Sequence, residues 1–332
     1  MISHTKKILV VLGATGNQGG SVARAFLYDA ALASHWHIRG ITRNPSSESA
    51  TELSTHGAEM VSASLDSVLE LESAFADATA IFAVTDFWSA ILTEQVTSRV
   101  RKDGVNLAIA TQDLEESWGR NIAMAAAEIS TLERFIFSSL PPVSDLSLGK
   151  LKHIYHFDGK ANIVKYIQRE HPALWAKTSQ ILVGFYNSNI LADSYFGPSF
   201  NPATGKIEFE GPVSDDNLVP FIDASSSTGN FVKALVLTEP LGTILAAYDE
   251  MKSLKECIEL LRRKTGQDFV FPLGREAPES WVWLAEYGLF GEKIDGWKES
   301  LKLLGDLEKR MKAGSVVEWL SAQDWSKAFR PA

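Results

Sequence analysis

Cysteine and basic residues are scarce in this sequence, and each shortage excludes a class of function. Cys257 is the single cysteine among 332 residues, so no disulfide can form within the chain, which is typical of proteins from a reducing compartment. Its apolar neighbours in KECIELL predict a buried, unreactive thiol. Lysine and arginine total 32 against 41 acidic residues, and the formal net charge of −9 disfavours direct binding to nucleic acid.

Membrane, metal and hydrolase signatures are also missing. No apolar run approaches the ~20 residues that span a bilayer, and the N-terminal MISHTKKILVVLGATG lacks the profile of a signal peptide. We therefore expect a soluble cytoplasmic protein without membrane contact, with the nucleus as a second compartment open to it. His153 and His156 have no further ligands beside them, which predicts no metal site. Neither G-x-S-x-G nor a Walker-type loop occurs.

The first half of the chain alternates short apolar runs with helix-forming stretches. This alternation predicts the α/β class and a doubly wound, parallel Rossmann sheet, whose ligands bind beyond the carboxyl ends of the strands. The predicted strands are Lys7–Leu12, Trp36–Ile41, Glu59–Val61, Ala80–Val84, Arg134–Phe137 and Thr178–Val183. The predicted helices are Gly20–Ala33, Ser46–His56, Val68–Ala76, Ser117–Ile129 and Ile154–Glu170.

Two departures from this alternation of strands and helices indicate the domain organisation. Phe87–Leu114 interrupts it and predicts a flap or insertion near the site. We expect a Rossmann domain over residues 1–185, with strand and helix returning near 215–250, and a smaller, mostly helical substrate lobe over 186–332. Thr204–Gly205 predicts a hairpin turn inside that lobe. Large aromatic side chains dominate cores, which predicts a core position for Trp281, Trp283, Trp297, Trp319 and Trp325.

The segment GATGNQGG follows the first strand and opens the first helix. In its G-x-x-G-x-x-G pattern, Gly13 allows the tight turn off the strand and Gly16 lets the backbone approach a pyrophosphate. Gly19 lets the helix pack closely on the sheet. The helix N-terminus presents N–H groups and partial positive charge to the phosphates. The strand-loop-helix context therefore predicts a dinucleotide site.

The end of the second strand, HIRGITRNP, indicates which nicotinamide cofactor binds. In NAD sites an acidic residue at this place accepts hydrogen bonds from the ribose 2′-OH, and none occurs here before Glu48. Arg43 takes that place instead. A guanidinium pairs with a 2′-phosphate through a forked, charge-assisted hydrogen bond. The sequence therefore predicts NADP(H).

Together with motifs farther along the chain, these residues resemble a known family. The glycine loop, TRNP after the second strand, VTDFW after the fourth, FSSLP after the fifth, HFDGK in the next helix and GFYNSN after the sixth are similar to the NmrA-like family. The resemblance extends over roughly residues 5–250. That family is an atypical branch of the short-chain dehydrogenase/reductases, close to the isoflavone-reductase-like enzymes. Phe87–Leu114 resembles the fungal members. Some members of the family resemble reductases of secondary metabolism, and others resemble redox sensors that bind NADP(H) and regulate a transcription factor.

The resemblance implies a place along NADP(H) for each matching residue. The pyrophosphate would be held by Thr15, Gly16, Asn17, Gln18 and Gly19, and the 2′-phosphate by Arg43 with Asn44. Leu65 would lie near the adenine, and Thr85, Asp86 and Phe87 would border the ribose and the nicotinamide. Lys160 would lie near the nicotinamide ribose, and the residues from Tyr186 to Asn189 would close over the nicotinamide end.

The proton donor of typical short-chain enzymes is missing. Those enzymes place tyrosine and lysine at i and i+4 on one helix face. Here Lys160 has His156 four residues before it, and Tyr155 is turned about 100° away on the helix. Three alternatives stay open: His156 donates the proton, Lys160 acts as acid or base, as the resemblance suggests, or Tyr186 reaches in from its loop. The superfamily places its substrate-polarising serine at the end of the fifth strand, here Ser138 and Ser139.

Three functions agree with these observations. The first is an NADPH-dependent reductase of a small organic substrate, such as an aromatic or polyketide-like metabolite. The second is an NADP(H)-binding redox sensor, which regulates a protein partner and needs no proton donor. The third is a non-redox isomerase, dehydratase or cyclase on the same fold.

Overall fold

The computed structural model describes residues 6–191, 197–209, 214, 216–270, 278–306 and 314–325. Within them the strands are β1 (Lys7–Leu12), β2 (Trp36–Thr42), β3 (Glu59–Ser62), β4 (Ala80–Ala83), β5 (Arg134–Ser139), β6 (Thr178–Val183), β7 (Phe185–Tyr186), β8 (Ser199–Asn201), β9 (Lys206–Glu208), β10 (Leu218–Ile222), β11 (Ile244–Ala247), β12 (Glu250–Ser253), β13 (Phe269–Val270) and β14 (Leu301–Lys302).

The α-helices of the same residues are α1 (Asn17–Leu27), α2 (Ala30–His35), α3 (Glu48–Thr55), α4 (Val68–Phe75), α5 (Phe87–Ile91), α6 (Glu94–Asp103), α7 (Leu107–Ala127), α8 (Val143–Leu146), α9 (Tyr155–Glu170), α10 (Pro172–Trp175), α11 (Thr228–Leu237), α12 (Leu254–Thr265), α13 (Glu279–Tyr287) and α14 (Val316–Ala322). Short 3₁₀ helices lie at Asn187–Ile190, Lys298–Ser300 and Leu304–Asp306. None of the described helices is both long and apolar enough to cross a bilayer.

The chain divides into two compact units. The first contains the described residues up to Leu182 together with Thr228–Leu245. The second contains Val183–Ser227 and the described residues from Ala246 onward. The chain therefore leaves the first unit after β6 and returns to it for α11.

A sheet with the strand order β11-β6-β5-β4-β1-β2-β3 forms the centre of the first unit. Every adjacent pair from β6 to β3 is parallel. The strands of its middle are buried on both faces, which explains their unbroken apolar runs. The doubly wound α/β fold is thus confirmed. Strand order reverses between β1 and β4, and such a sheet binds its ligand in the crevice beyond the carboxyl ends at this point.

Helices pack closely against the sheet and against one another in the first unit. Val10 and Leu12 of β1 pack in one apolar cluster with residues of α4, α7 and α9. On α11, Gly229 donates its backbone N–H to Ser21 Oγ at 2.9 Å. A Cβ on Gly229 would lie 2.2 Å from Ser21 O, so this close approach of α11 to α1 requires glycine.

Two predicted helices have other boundaries in the structure, because capping residues decide where they begin. Gly20–Ala33 was predicted as one helix, but Asp29 accepts hydrogen bonds from the N–H groups of Ala31 and Leu32 and starts α2 separately. The helix predicted from Ser117 begins ten residues earlier, at Leu107, where Asn106 caps it.

The segment Phe87–Leu114, for which we expect a flap or insertion near the site, is helical. These residues make α5, α6 and the first turns of α7. Phe87, Ala90 and Val96 are buried, so the segment is a packed part of the first unit. Asp86 and Thr93 cap α5 and α6 by accepting the N–H groups of Trp88 and Val96.

The second unit contains strands as well as the predicted helices. Its two three-stranded sheets have the orders β12-β10-β7 and β13-β9-β8. β8 and β9 form the predicted hairpin, with Gly205 at φ +67°. Trp281 and Trp283 are buried as predicted. Trp319 and Trp325 pack half-buried against the apolar cluster that contains Trp281, and Trp297 is also half-buried.

Candidate functional site

The glycine loop between β1 and α1 has the geometry that a phosphate-binding turn needs. Gly13 adopts φ +62°, a conformation that side chains disfavour, and Gly16 donates its N–H to Gly13 O at 2.8 Å. A Cβ on Gly19 would lie 2.2 Å from Gly13 O and 2.5 Å from Gly13 C. The loop can close only with glycine at this position. The positive end of α1 then faces the crevice in front of the loop.

The loop is tied to the end of β2, where the sequence predicts cofactor discrimination. Ala14 donates its N–H to Ile41 O at 3.1 Å, and the hydroxyls of Thr15 and Thr42 share a hydrogen bond of 3.0 Å. Arg43 follows directly and is exposed. Among the described residues, no hydrogen bond, ion pair or ring contact involves its guanidinium. Arg43 is therefore available to an anionic ligand beside the loop.

Asn44 and Leu65 each take part in a hydrogen bond of their local structure. Asn44 accepts the N–H of Ser46 on its side-chain oxygen at 3.0 Å, in the turn that leads into α3. Leu65, which follows β3, is half-buried, and its carbonyl accepts a hydrogen bond from the Asn121 amide at 2.8 Å. Their contacts with the 2′-phosphate and the adenine remain predictions.

Lys160 on α9 lies against Thr85, the second residue after β4. Its ammonium donates to Thr85 O at 2.7 Å, to Thr85 Oγ1 at 2.9 Å and to Glu115 Oε1 at 2.5 Å. The Thr85 hydroxyl in turn donates to the same Glu115 oxygen at 2.8 Å. Two residues predicted from sequence are thus joined directly, and a carboxylate that sequence reasoning missed completes the group.

This ion pair is deeply buried. The Glu115 side chain has no solvent exposure and that of Lys160 is 12% exposed. Within the described part of the chain, Glu115 Oε2 is buried and has no hydrogen-bond partner, an arrangement that costs about 1–3 kcal/mol. Gly159 lies beside this carboxylate: a Cβ there would be in ordinary contact with Glu115 Oε2, at 3.4 Å, and 3.2 Å from Gln112 Cγ.

Glu115 was missed because the predicted helix began two residues after it. With Asn106 recognised as the cap, Glu115 lies on the helix face of Thr111, Trp118 and Ile122, all of which are buried. A charged residue on an apolar helix face is the sequence signal that could have found it.

Aromatic rings surround His156, one turn before Lys160. The ring centroids of Phe87, Trp88 and Phe157 lie 5.8, 5.3 and 4.9 Å from that of the imidazole. Burial, and secondarily the Lys160 charge, lower the pKa of His156 to about 3. The imidazole is therefore neutral at pH 7, and only its weakly acidic N–H remains for proton donation.

Ser138 and Ser139 end β5, and both are buried. The Ser139 hydroxyl donates to Leu140 O at 3.3 Å, and the two residues pair with Ile181 and Leu182 of β6. Asp86 is exposed and caps α5 by accepting the N–H of Trp88 at 3.0 Å. All three residues follow or end strands at the carboxyl edge of the sheet, as predicted.

Tyr186 and Asn189 belong to the second unit. Tyr186 ends β7 and pairs in parallel with Ile222 of β10, and Asn189 lies in the 3₁₀ helix that follows. Between them, Asn187 is buried, and its amide oxygen has no hydrogen-bond partner among the described residues. Their predicted roles at the nicotinamide end stay predictions.

Comparison with known sequences supports the resemblance. The model of the NmrA-like family matches residues 4–275. The chain is 28% identical to the NmrA-like family domain-containing oxidoreductase lnbB of Aspergillus flavus, with 98% of each chain covered. It is 25% identical to the oxidoreductase of the same description, cpsB, from Aspergillus campestris, over 91% of this chain and 82% of that protein.

Solved structures share the fold. NmrA, a negative transcriptional regulator, has been solved in complex with NADP and in complex with NAD, and each structure matches with a TM-score of 0.68 at 19% identity. Each covers 97% of this chain and 100% of its own. The triphenylmethane reductase of Citrobacter sp., complexed with NADP(H), matches with a TM-score of 0.60 at 15% identity, over 95% of this chain and 99% of its own.

Proposed function

This chain belongs to the NmrA-like family, and we propose that it is an NADP(H)-dependent reductase of a small organic molecule. The observation that carries the proposal is the closed loop at Gly13–Gly19, linked through Thr15 and Thr42 to the strand end that bears Arg43. An intact dinucleotide loop beside an available guanidinium suits a pyrophosphate and a 2′-phosphate together. The relatives named oxidoreductases support a redox reaction.

Each part of the cofactor would have its own residues. The Gly13–Gly19 loop and the N-terminus of α1 would hold the pyrophosphate, and Arg43 with Asn44 would hold the 2′-phosphate. Leu65 would border the adenine, and Thr85–Phe87 would border the ribose and the nicotinamide. When bound, NADPH supplies a hydride at its nicotinamide ring.

The remaining side chains would orient the acceptor and deliver a proton. Lys160, held by Thr85 and Glu115, would anchor the nicotinamide ribose. A Ser138 or Ser139 hydroxyl would polarise the acceptor atom. Because His156 is neutral at pH 7, Tyr186 or Lys160 is the better acid, and a substrate that accepts hydride without a proton would need neither.

A titration and a turnover assay test this function. Purified protein is titrated with NADPH and NADH by energy transfer from its tryptophans, then incubated with quinones, enones, aryl ketones and imines while NADPH absorbance is followed. Tight NADPH binding with turnover that Lys160→Met reduces would support the reductase. Failure to bind either nucleotide would overturn it.

A redox sensor is the second candidate, and one observation favours it. His156 replaces the usual tyrosine and is held neutral among aromatic rings, so the first unit has no side chain typical of proton donation at this position. The structural relative NmrA is a negative transcriptional regulator. A sensor would bind NADPH and NADP⁺ with different affinity and would change its affinity for a protein partner accordingly. Tight binding without turnover of the whole panel, with such a redox-dependent change, would favour this candidate.

A further inference from the structure

Glu115 belongs to none of the motifs that indicated the cofactor site, yet it makes the shortest contact of the predicted lysine. Lys160 and Glu115 come from different helices, α9 and α7, and meet beside Thr85. The Glu115 side chain is fully buried and the Lys160 side chain is nearly so. The two side chains therefore form one ion pair at the carboxyl edge of the sheet.

The hydrogen bonds of this pair leave the ammonium a single position. An ammonium has three donors, and those of Lys160 go to Thr85 O, Thr85 Oγ1 and Glu115 Oε1. The Thr85 hydroxyl then gives its own proton to Glu115 Oε1. Each group thus fixes the other two, and a shift of Lys160 would break bonds to both partners.

The missing partner of the second carboxylate oxygen, Oε2, suggests that a contribution to stability does not by itself explain why a carboxylate is buried at Glu115. Buried polar atoms are nearly always hydrogen-bonded, yet Glu115 Oε2 has no partner in the described residues. The neighbouring Glu116 differs, because its two oxygens accept hydrogen bonds from Gln112, Asn162 and Arg120. Both oxygens of Glu116 are thus hydrogen-bonded, as expected of a carboxylate with a structural role. Glu115 accepts hydrogen bonds on one oxygen only, and they come from Lys160 and Thr85.

We propose that Glu115 is a positioning residue, which together with Thr85 holds Lys160 at the nicotinamide end of the bound cofactor. This inference rests on the proposed function. When the cofactor binds, one of the two donors that now go to Thr85 would turn to the ribose, while Glu115 keeps its bond to the ammonium. Without the carboxylate, the ammonium would lose its charged partner and the bond that holds it there, and the long lysine chain would leave the place where it meets the ribose.

Cofactor affinity measures this role without a known substrate. NADPH dissociation constants are determined from tryptophan energy transfer for Lys160→Met, Glu115→Leu, the double variant and Glu115→Gln. Glu116→Gln, one residue along the same helix, is the matched control. Melting temperature is recorded for each variant, so that loss of fold is separated from loss of binding.

Lys160→Met and Glu115→Leu should each raise the dissociation constant about tenfold. The double variant should bind no more weakly than either single one, because both remove the same unit. Glu115→Gln, whose amide oxygen still accepts from Lys160 and Thr85, should stay within about threefold of the original affinity. Glu116→Gln should bind NADPH unchanged.

Several outcomes would overturn the inference. The first is that Glu115→Leu keeps the original NADPH affinity while Lys160→Met loses affinity. The second is that the effects of the two substitutions add in the double variant. The third is that Lys160→Met binds NADPH normally. If Glu115→Leu does not fold, Thr85→Val is tested in its place, since this substitution removes the hydroxyl that bonds both Lys160 and Glu115. An original NADPH affinity in Thr85→Val would likewise overturn the inference. Absence of NADPH binding by the unaltered protein would instead overturn the proposed function.

Discussion

Gly119 on α7 lies directly against Ile163 on α9. A Cβ on Gly119 would come within 2.3 Å of Ile163 Cδ1, 2.4 Å of Cγ1 and 2.7 Å of Cγ2. Because Cγ1 and Cγ2 are involved as well as Cδ1, moving only the end of the Ile163 side chain does not relieve the overlap. The two helices that bear Glu115 and Lys160 are thus held at the closest approach that glycine allows.

Gly119→Ala should destabilise the protein by about 1–3 kcal/mol, because an added methyl overpacks the contact. Chemical denaturation measures this change. In an Ile163→Ala background the same substitution should be neutral or slightly stabilising, since alanine is the better helix former. Equal effects in both backgrounds would show that the contact does not limit the packing of α7 on α9.

Two glycines of the loop should respond differently to alanine. Gly19→Ala places a methyl within 2.5 Å of two backbone atoms of Gly13 and should lower both stability and NADPH affinity. The Gly16 backbone has φ −95°, and a Cβ there would lie 3.3 Å from Gly13 O, so Gly16→Ala should fold nearly normally. Its NADPH affinity should nevertheless fall about tenfold, since the methyl meets the pyrophosphate. Normal affinity in Gly16→Ala would show that no phosphate approaches this residue.

Arg43→Ala should lower the affinity for NADPH but not the affinity for NADH. Loss of a charge-assisted hydrogen bond costs about 1.5–3 kcal/mol, so NADPH affinity should fall about ten- to a hundredfold. NADH, which has no 2′-phosphate, should bind as before. The two titrations are run on the same preparation, and a parallel loss for both cofactors would assign Arg43 to the loop rather than to the 2′-phosphate.

His156 should make the protein less stable in acid. Its pKa is about 3 in the folded chain, well below its ordinary value near 6.5. Between these values the unfolded chain binds a proton that the folded chain excludes. Stability is therefore complete above about pH 6.5 and falls as the pH drops toward 3, by at most about 1.4 kcal/mol per pH unit.

Urea unfolding of the unaltered chain and of His156→Phe between pH 4.5 and 7.5 checks this expectation. The difference between the two isolates the imidazole from the carboxylates, which titrate in both proteins. A difference that does not change with pH would show that solvent reaches the ring and that its pKa is ordinary.

The rate at which Cys257 is chemically labelled should report global unfolding. Burial raises the pKa of its thiol to about 12, so the reactive thiolate is rare at pH 8 in the native chain. Iodoacetamide should therefore label the native protein slowly and the urea-unfolded protein quickly. Rapid labelling without denaturant would indicate that α12, on which the thiol lies, opens locally.

The sequence by itself determined the elements whose signals are local. The first six strands, the turn at Gly13 and the hairpin at Gly205 follow from apolar runs and from glycines at positive φ, which neighbouring residues specify. The family motifs, being contiguous, were equally visible. Thr85 and Lys160 were both identified in this way, although 75 residues separate them.

Only the tertiary structure decided what Lys160 contacts and which proton donors remain. Glu115 lies 45 residues before Lys160, and no local pattern pairs a carboxylate on one helix with an ammonium on another. The contact depends on how closely Gly119 lets α7 and α9 approach. Likewise, the sequence shows that His156 replaces a tyrosine, but its neutrality comes from the rings of α5 packed against it. Desolvation and hydrogen bonding depend on all the neighbours of a group in space, and those neighbours are brought together only by the fold.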